Sequence, residues 1–100
     1  MIDTMTEDVQ RRALSKIYGQ LSREQENCFL KYASGKFCSS RKLDSMHDMI
    51  EDGKQMVYSL AYEVQDGEDC SKEIEQMRLF AKHMKLAVKH TRKLYETCIW

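Results

Sequence analysis

The sequence has no proline and only four glycines among its 100 residues. Proline breaks helices and glycine weakens them, so the two residues that most often end a helix are scarce. Hydrophobic residues make up 42% of the chain and charged residues 32%. The apolar fraction is too high for a disordered chain, while the charge suits long solvated helices. The composition therefore predicts an all-α protein.

The chain also lacks a charge excess and a long apolar run. Its 16 basic and 16 acidic residues cancel, so no global field draws it to nucleic acid or to a membrane. No apolar stretch approaches the roughly 20 residues that a membrane-spanning helix needs. Residues 1–10 are polar and acidic. We therefore expect no signal peptide and no membrane span, and we expect a cytoplasmic or nuclear protein.

Sequence motifs of catalysis and metal binding are missing. The cysteines are widely spaced and form no Cys-x-x-Cys motif of a zinc ribbon or thioredoxin: they are Cys28, Cys38, Cys70 and Cys98. There is no P-loop, nucleophile elbow or His-Glu-x-x-His. Asp44 and His47 have the spacing of half a di-iron site, but the second half is absent. We therefore predict no catalytic residue, no metal, no cofactor and no enzyme activity.

Three segments repeat apolar residues at alternating spacings of three and four, the pattern of helices that share a core. The first row is Leu14, Tyr18, Leu21, Gln25, Cys28 and Tyr32. The second row is Leu43, Met46, Ile50, Gly53, Val57, Leu60 and Val64. The third row is Ile74, Met77, Ala81, Met84, Val88, Thr91, Tyr95 and Cys98. Glycine in the second row indicates close packing inside the bundle.

Two short breaks separate these segments. Gly35 and Gly67 suit the position just after a helix, where glycine adopts a positive φ at low cost. Short loops make consecutive helices antiparallel. The sequence therefore predicts one domain, 1–100, that is an antiparallel bundle of three long helices at residues 5–33, 40–65 and 70–98. A split of the first helix between Gly19 and Ser22 stays open and would give four helices.

Six basic residues follow one side of the third segment, where no acid lies between Glu75 and Glu96. We call this set the basic stripe: Arg78, Lys82, Lys85, Lys89, Arg92 and Lys93. Such a stripe suits the phosphates of a nucleic acid or an acidic partner protein. The alternative is a solvated face that pairs with the acids at the start of the second helix, which are Asp44, Asp48, Glu51 and Asp52.

Large apolar residues that lie beside the apolar rows suggest a binding surface for a partner. The predicted apolar patch is Met49, Met56, Tyr58, Tyr62 and Trp100, and exposed patches of this kind often mark protein–protein contacts. With the heptad pattern, it predicts a non-enzymatic helical interaction or assembly module that binds another protein or itself, as a homo-oligomer. Two alternatives stay open: a nucleic-acid-binding helical domain that uses residues 78–93, and a death-domain-like adaptor of five or six short helices.

Overall fold

The computed structural model contains three long helices and one short hairpin. The elements are α1 (Glu7–Asn27), β1 (Leu30–Lys31), β2 (Phe37–Cys38), α2 (Arg41–Gln65) and α3 (Ser71–Cys98). The structure describes residues 5–28, 30–31, 37–38 and 41–98, and among them the side chains of 5–28 and 41–93. The molecule is elongated, 52 × 24 × 18 Å. The predicted bundle of three long helices is confirmed, and the arrangement of five or six short helices is wrong.

Helix α1 is continuous but shorter than predicted. It begins after Thr6, whose hydroxyl accepts a hydrogen bond from the Val9 N–H at 3.3 Å. It passes through Gly19 without interruption, so the alternative of a split first helix is wrong. The helix ends at Asn27, and Cys28 caps it by donating its N–H to the carbonyl of Gln25 at 3.2 Å. The predicted start at residue 5 is too early and the predicted end at residue 33 is too late.

A two-stranded hairpin replaces the expected last turns of the first helix. Its strands are antiparallel, with Leu30 opposite Cys38 and Lys31 opposite Phe37. Each strand has only two residues, fewer than the four to eight that make a strand recognisable in a sequence. The heptad row, which extends to Tyr32, predicted a continued helix instead. Gly35, the predicted helix end, lies outside the described residues.

The turn between α2 and α3 follows the prediction closely. Gly67 has φ 92°, its N–H donates to Val64 at 3.0 Å, and the next N–H donates to Glu63 at 3.0 Å. This is the Schellman arrangement, which satisfies the last carbonyls of a helix and requires a left-handed residue after it. The Ser71 N–H donates to Oδ1 of Asp69 at 3.1 Å at the start of α3.

The core follows the predicted rows on α2 and α3. Described members of these two rows that are buried are Leu43, Ile50, Gly53, Val57, Leu60, Val64, Ile74, Ala81, Met84, Val88 and Thr91. Met46 and Met77 are half-buried. On α1, however, Ile17 is buried, whereas Tyr18 from the predicted row is 38% exposed. Full burial of a Leu or Ile side chain contributes about 1.5–3 kcal/mol, so these rows are the main source of stability.

A buried glutamine joins the starts of α1 and α3. Gln10 is 3% exposed. Its Nε2 donates to the Met5 carbonyl at 2.8 Å, and its Oε1 accepts from the Cys70 N–H at 2.9 Å. The Met5 N–H in turn donates to the hydroxyl of Ser71 at 2.9 Å. Because α1 and α3 begin at the same end of the bundle, these contacts fix the alignment of the two helices.

Candidate binding surfaces

The predicted apolar patch is divided between the two sides of α2. Met49 and Met56 flank Gly53, which faces α3, so they lie on the side of α2 next to α3, and they are 53% and 55% exposed. Tyr58 instead borders a groove shared with α1. Trp100 lies outside the described residues. The structure therefore does not bring the methionines and the tyrosines together.

An apolar groove of about 320 Å³ runs between α1 and α2. We call it the tyrosine groove; it is lined by Arg11, Leu14, Ser15, Tyr18, Val57, Tyr58 and Ala61. Leu14 and Val57 are buried at its floor, while Tyr18 and Tyr58 are 38% and 55% exposed at its walls. Its opening therefore presents aromatic rings and a small alanine to solvent.

Neighbouring contacts hold the three rings at this groove in place. Tyr62 is 58% exposed and packs edge-on against Tyr58, with ring centroids 5.4 Å apart. A hydrogen bond with Tyr58 raises the pKa of Tyr62. On the opposite wall, Nζ of Lys54 lies 5.1 Å from the centroid of the Tyr18 ring, a cation–π contact.

A polar cluster between α1 and α2 positions that lysine. Lys54 Nζ donates to Oε1 of Gln25 at 2.9 Å, and Nε2 of Gln25 donates to Glu51 at 2.6 Å. These bonds satisfy the amide of Gln25, which is 9% exposed, as buried polar groups require. The hydrogen bond from Gln25 is the main reason that the pKa of Glu51 is lowered.

The C-terminal part of the basic stripe lies on the side of α3 that faces α1. Within the described ranges, no ion pair joins Arg78, Lys82, Lys85, Lys89 or Arg92 to an acid of α2. Arg78 pairs within its own helix, with Glu75 at 3.1 Å. For these five residues, the alternative of ion pairs with the acids of α2 is therefore wrong.

Four residues of the stripe border a cavity of about 320 Å³ between α1 and α3. We call it the basic cavity; its polar lining is Glu24, Asn27, Lys85, Lys89, Arg92 and Lys93. Arg92 Nη1 donates to Oδ1 of Asn27 at 3.3 Å, and Nδ2 of Asn27 donates to Glu24 at 3.2 Å. Glu24 is only 5% exposed. The other two residues of the stripe, Arg78 and Lys82, do not line this cavity.

Sequence reasoning missed the contribution of α1 to both surfaces. The row Leu14, Tyr18, Leu21 placed the tyrosine in the core. A second row on α1 alternates three and four residues equally well, and it is Leu14, Ile17, Leu21, Glu24 and Cys28. That row matches the burial in the structure, exposes Tyr18 and places a carboxylate among apolar side chains. The buried Glu24 is the signal that a polar site adjoins the core there.

The two cysteines with described side chains are buried thiols. Burial, followed by the nearby carboxylate of Glu24, raises the pKa of the Cys28 thiol to about 11. Burial and a hydrogen bond to Glu63 raise the pKa of the Cys70 thiol to about 11 as well. Such thiols stay protonated at neutral pH and are poor nucleophiles. In the part of the chain with described side chains, no three His, Cys, Asp or Glu residues are grouped to hold a metal ion.

No helix among the described residues is long and apolar enough to cross a membrane. No protein-family model matches the chain, and no curated protein or solved structure shows significant similarity to it. The features that bear on function are therefore the two surfaces, the tyrosine groove and the basic cavity.

Proposed function

We propose that this protein is a non-enzymatic helical assembly module that binds a second copy of itself through the tyrosine groove. The observation that carries the proposal is the grouping of three exposed tyrosines, Tyr18, Tyr58 and Tyr62, at one apolar groove. Tyrosine is enriched among the residues that dominate binding energy at protein interfaces. It offers a large contact area and loses little conformational entropy, since only two side-chain torsions are fixed.

Charge favours a second copy as the occupant of the groove. The chain has a formal net charge of zero, so two copies approach without overall repulsion. Arg11 is the only charged residue among the described residues that line the groove, and it is paired with Glu7 at 2.7 Å. Twofold symmetric dimers place the same patch on both partners. In such a dimer the Tyr58 ring of each copy packs into the groove of the other.

The buried thiols support a role without covalent chemistry and a reducing compartment. Cys28 and Cys70 are free and buried, and their raised pKa values suppress thiolate formation. Free cysteines are typical of proteins in the cytosol and the nucleus. We therefore propose one of these compartments for the assembly.

Sedimentation equilibrium over about a hundredfold concentration range tests the proposal, because self-association depends on concentration. We expect a reversible monomer–dimer equilibrium that Tyr58→Ser with Tyr62→Ser shifts at least tenfold toward monomer. The matched control is Met49→Ser with Met56→Ser, which removes equally exposed apolar groups from the other side of α2 and should leave the equilibrium unchanged. A wild-type chain that is monomeric throughout, or equal loss in the control, would contradict the proposal.

A further inference from the structure

The basic cavity combines a hydrogen-bonded guanidinium with two lysines that have no partner among the described residues. Asn27 holds the Arg92 guanidinium from α1, and the buried Glu24 holds Asn27 in turn. Lys85 and Lys89 form no hydrogen bond or ion pair with any residue that the structure describes. A positioned arginine beside exposed lysines is a donor set that suits phosphate groups.

The charge around the cavity favours a ligand with several negative charges. Among the described residues that line it, four are cationic and Glu24 is the only acid. An adjoining cavity of about 580 Å³ shares Glu24, Asn27 and Lys85 and adds Lys16 and Arg23 from α1. Low-dielectric walls focus such a field and raise the local concentration of anions.

The shape favours a small ligand over a nucleic acid. The cavity volume of about 320 Å³ lies at the lower end of the range for small-molecule sites, roughly 300–1,000 Å³. Single-stranded nucleic acids are bound by aromatic rings that stack on bases. None of the described residues that line the two cavities is aromatic, and the exposed Tyr18 and Tyr58 line the groove between α1 and α2 instead. We propose that the basic cavity binds a small ligand that carries two or more phosphate groups.

Titration with inorganic pyrophosphate, followed by ¹H–¹⁵N chemical shifts, tests this site in the whole chain. We expect saturable shifts at Asn27, Lys85 and Lys89, and at least tenfold weaker binding after Lys85→Glu with Lys89→Glu. The control is Lys42→Glu with Lys72→Glu, which makes the same change in net charge at exposed lysines outside the cavity and should bind as the wild type does. Circular dichroism checks that each variant folds.

A third variant tests whether pyrophosphate binding depends on the position of the Arg92 side chain as well as on charge. Asn27→Ala keeps every charged group but releases Arg92, so we expect weaker pyrophosphate binding with the same dependence on salt. Tyr58→Ser with Tyr62→Ser should bind pyrophosphate normally, because this site does not depend on the tyrosine groove.

Three results would overturn the assignment. The first is an absence of saturable shifts, and the second is equal loss of binding in the control with altered net charge. The third is tighter binding of a single-stranded oligonucleotide with shifts that extend over Arg78 and Lys82, which would identify the stripe as a nucleic-acid surface.

Discussion

A side-chain Cβ at Gly53 would stand 3.1 Å from Cε1 of Phe80. The glycine thus lets the aromatic ring of α3 lie directly against the backbone of α2. A glycine inside a helix costs about 1 kcal/mol relative to alanine. The close contact with Phe80 gives a physical reason for that cost at the middle of α2.

Two glycine substitutions distinguish this close contact from helix propensity alone. A Cβ at Gly19 would meet nothing within 4 Å, so Gly19→Ala should raise the free energy of unfolding by about 0.5–1 kcal/mol. Gly53→Ala should raise it less, or lower it, because the Phe80 ring must move. In a Phe80→Leu background the two substitutions should have equal effects. Urea unfolding measures these changes, and equal stabilisation in the wild-type background would refute the role of the contact.

Removal of the Gln10 side chain should destabilise the bundle strongly. Gln10→Ala leaves the Cys70 N–H and the Met5 carbonyl without their partner, and an unsatisfied buried polar group costs about 1–3 kcal/mol. We therefore expect a loss of about 2–4 kcal/mol in the free energy of unfolding. The exposed Gln76 is the matched control, because its replacement by alanine should change stability by less than about 0.5 kcal/mol. Similar effects at both positions would argue against the alignment of α1 and α3 described above.

Acid should weaken the fold partly through Asp69. Hydrogen bonds from the side chain and backbone of Ser71 lower the pKa of Asp69. A carboxyl whose pKa is lower in the folded state stabilises the fold above its unfolded pKa of about 3.9, and this stabilisation is lost as the pH falls through the folded pKa. Urea unfolding between about pH 2 and pH 6 should show less loss toward acid in Asp69→Asn than in the wild type. An unchanged pH dependence in this variant would show that Asp69 is not one of the responsible groups.

The two buried thiols should resist alkylation in the native state. Because their pKa values are raised to about 11, Cys28 and Cys70 should react with iodoacetamide at neutral pH only when the bundle opens. Peptide mass spectrometry after timed labelling assigns the reaction to each cysteine. We expect both to react at least a hundredfold faster in concentrated urea, and rapid native labelling of either thiol would contradict their burial.

The same raised pKa values mean that thiol ionisation destabilises the fold as the pH rises from about 9 toward 11.

The fold could be predicted from the sequence because the apolar residues that form its core recur at regular spacings. The rows from Leu43 to Val64 and from Ile74 to Thr91 predict which faces are buried, and Gly67 predicts the turn between them. The hairpin was missed because its strands have only two residues each, too short for a period of two to be visible. Helix propensity and the heptad pattern therefore predicted a first helix that is longer than α1.

The binding surfaces could be predicted only in part, because they depend on which helix faces pack against each other. Periodicity located the basic stripe on α3, but it could not show that four of its residues line a cavity shared with α1. It also grouped Met56 with Tyr58, although residues two apart on a helix point in nearly opposite directions. Glu24 and Asn27 carry no motif, and only their position beside Arg92 gives them a role.

Isotope-filtered NOE spectroscopy on an equal mixture of labelled and unlabelled protein tests the central proposal most directly. It detects protons of one copy that lie close to protons of another. We expect intermolecular NOEs between the Tyr58 and Tyr62 rings of one copy and Leu14 and Ala61 of its partner. At a concentration where sedimentation shows dimer, the absence of these NOEs, or their confinement to Met49 and Met56, would contradict assembly through the tyrosine groove.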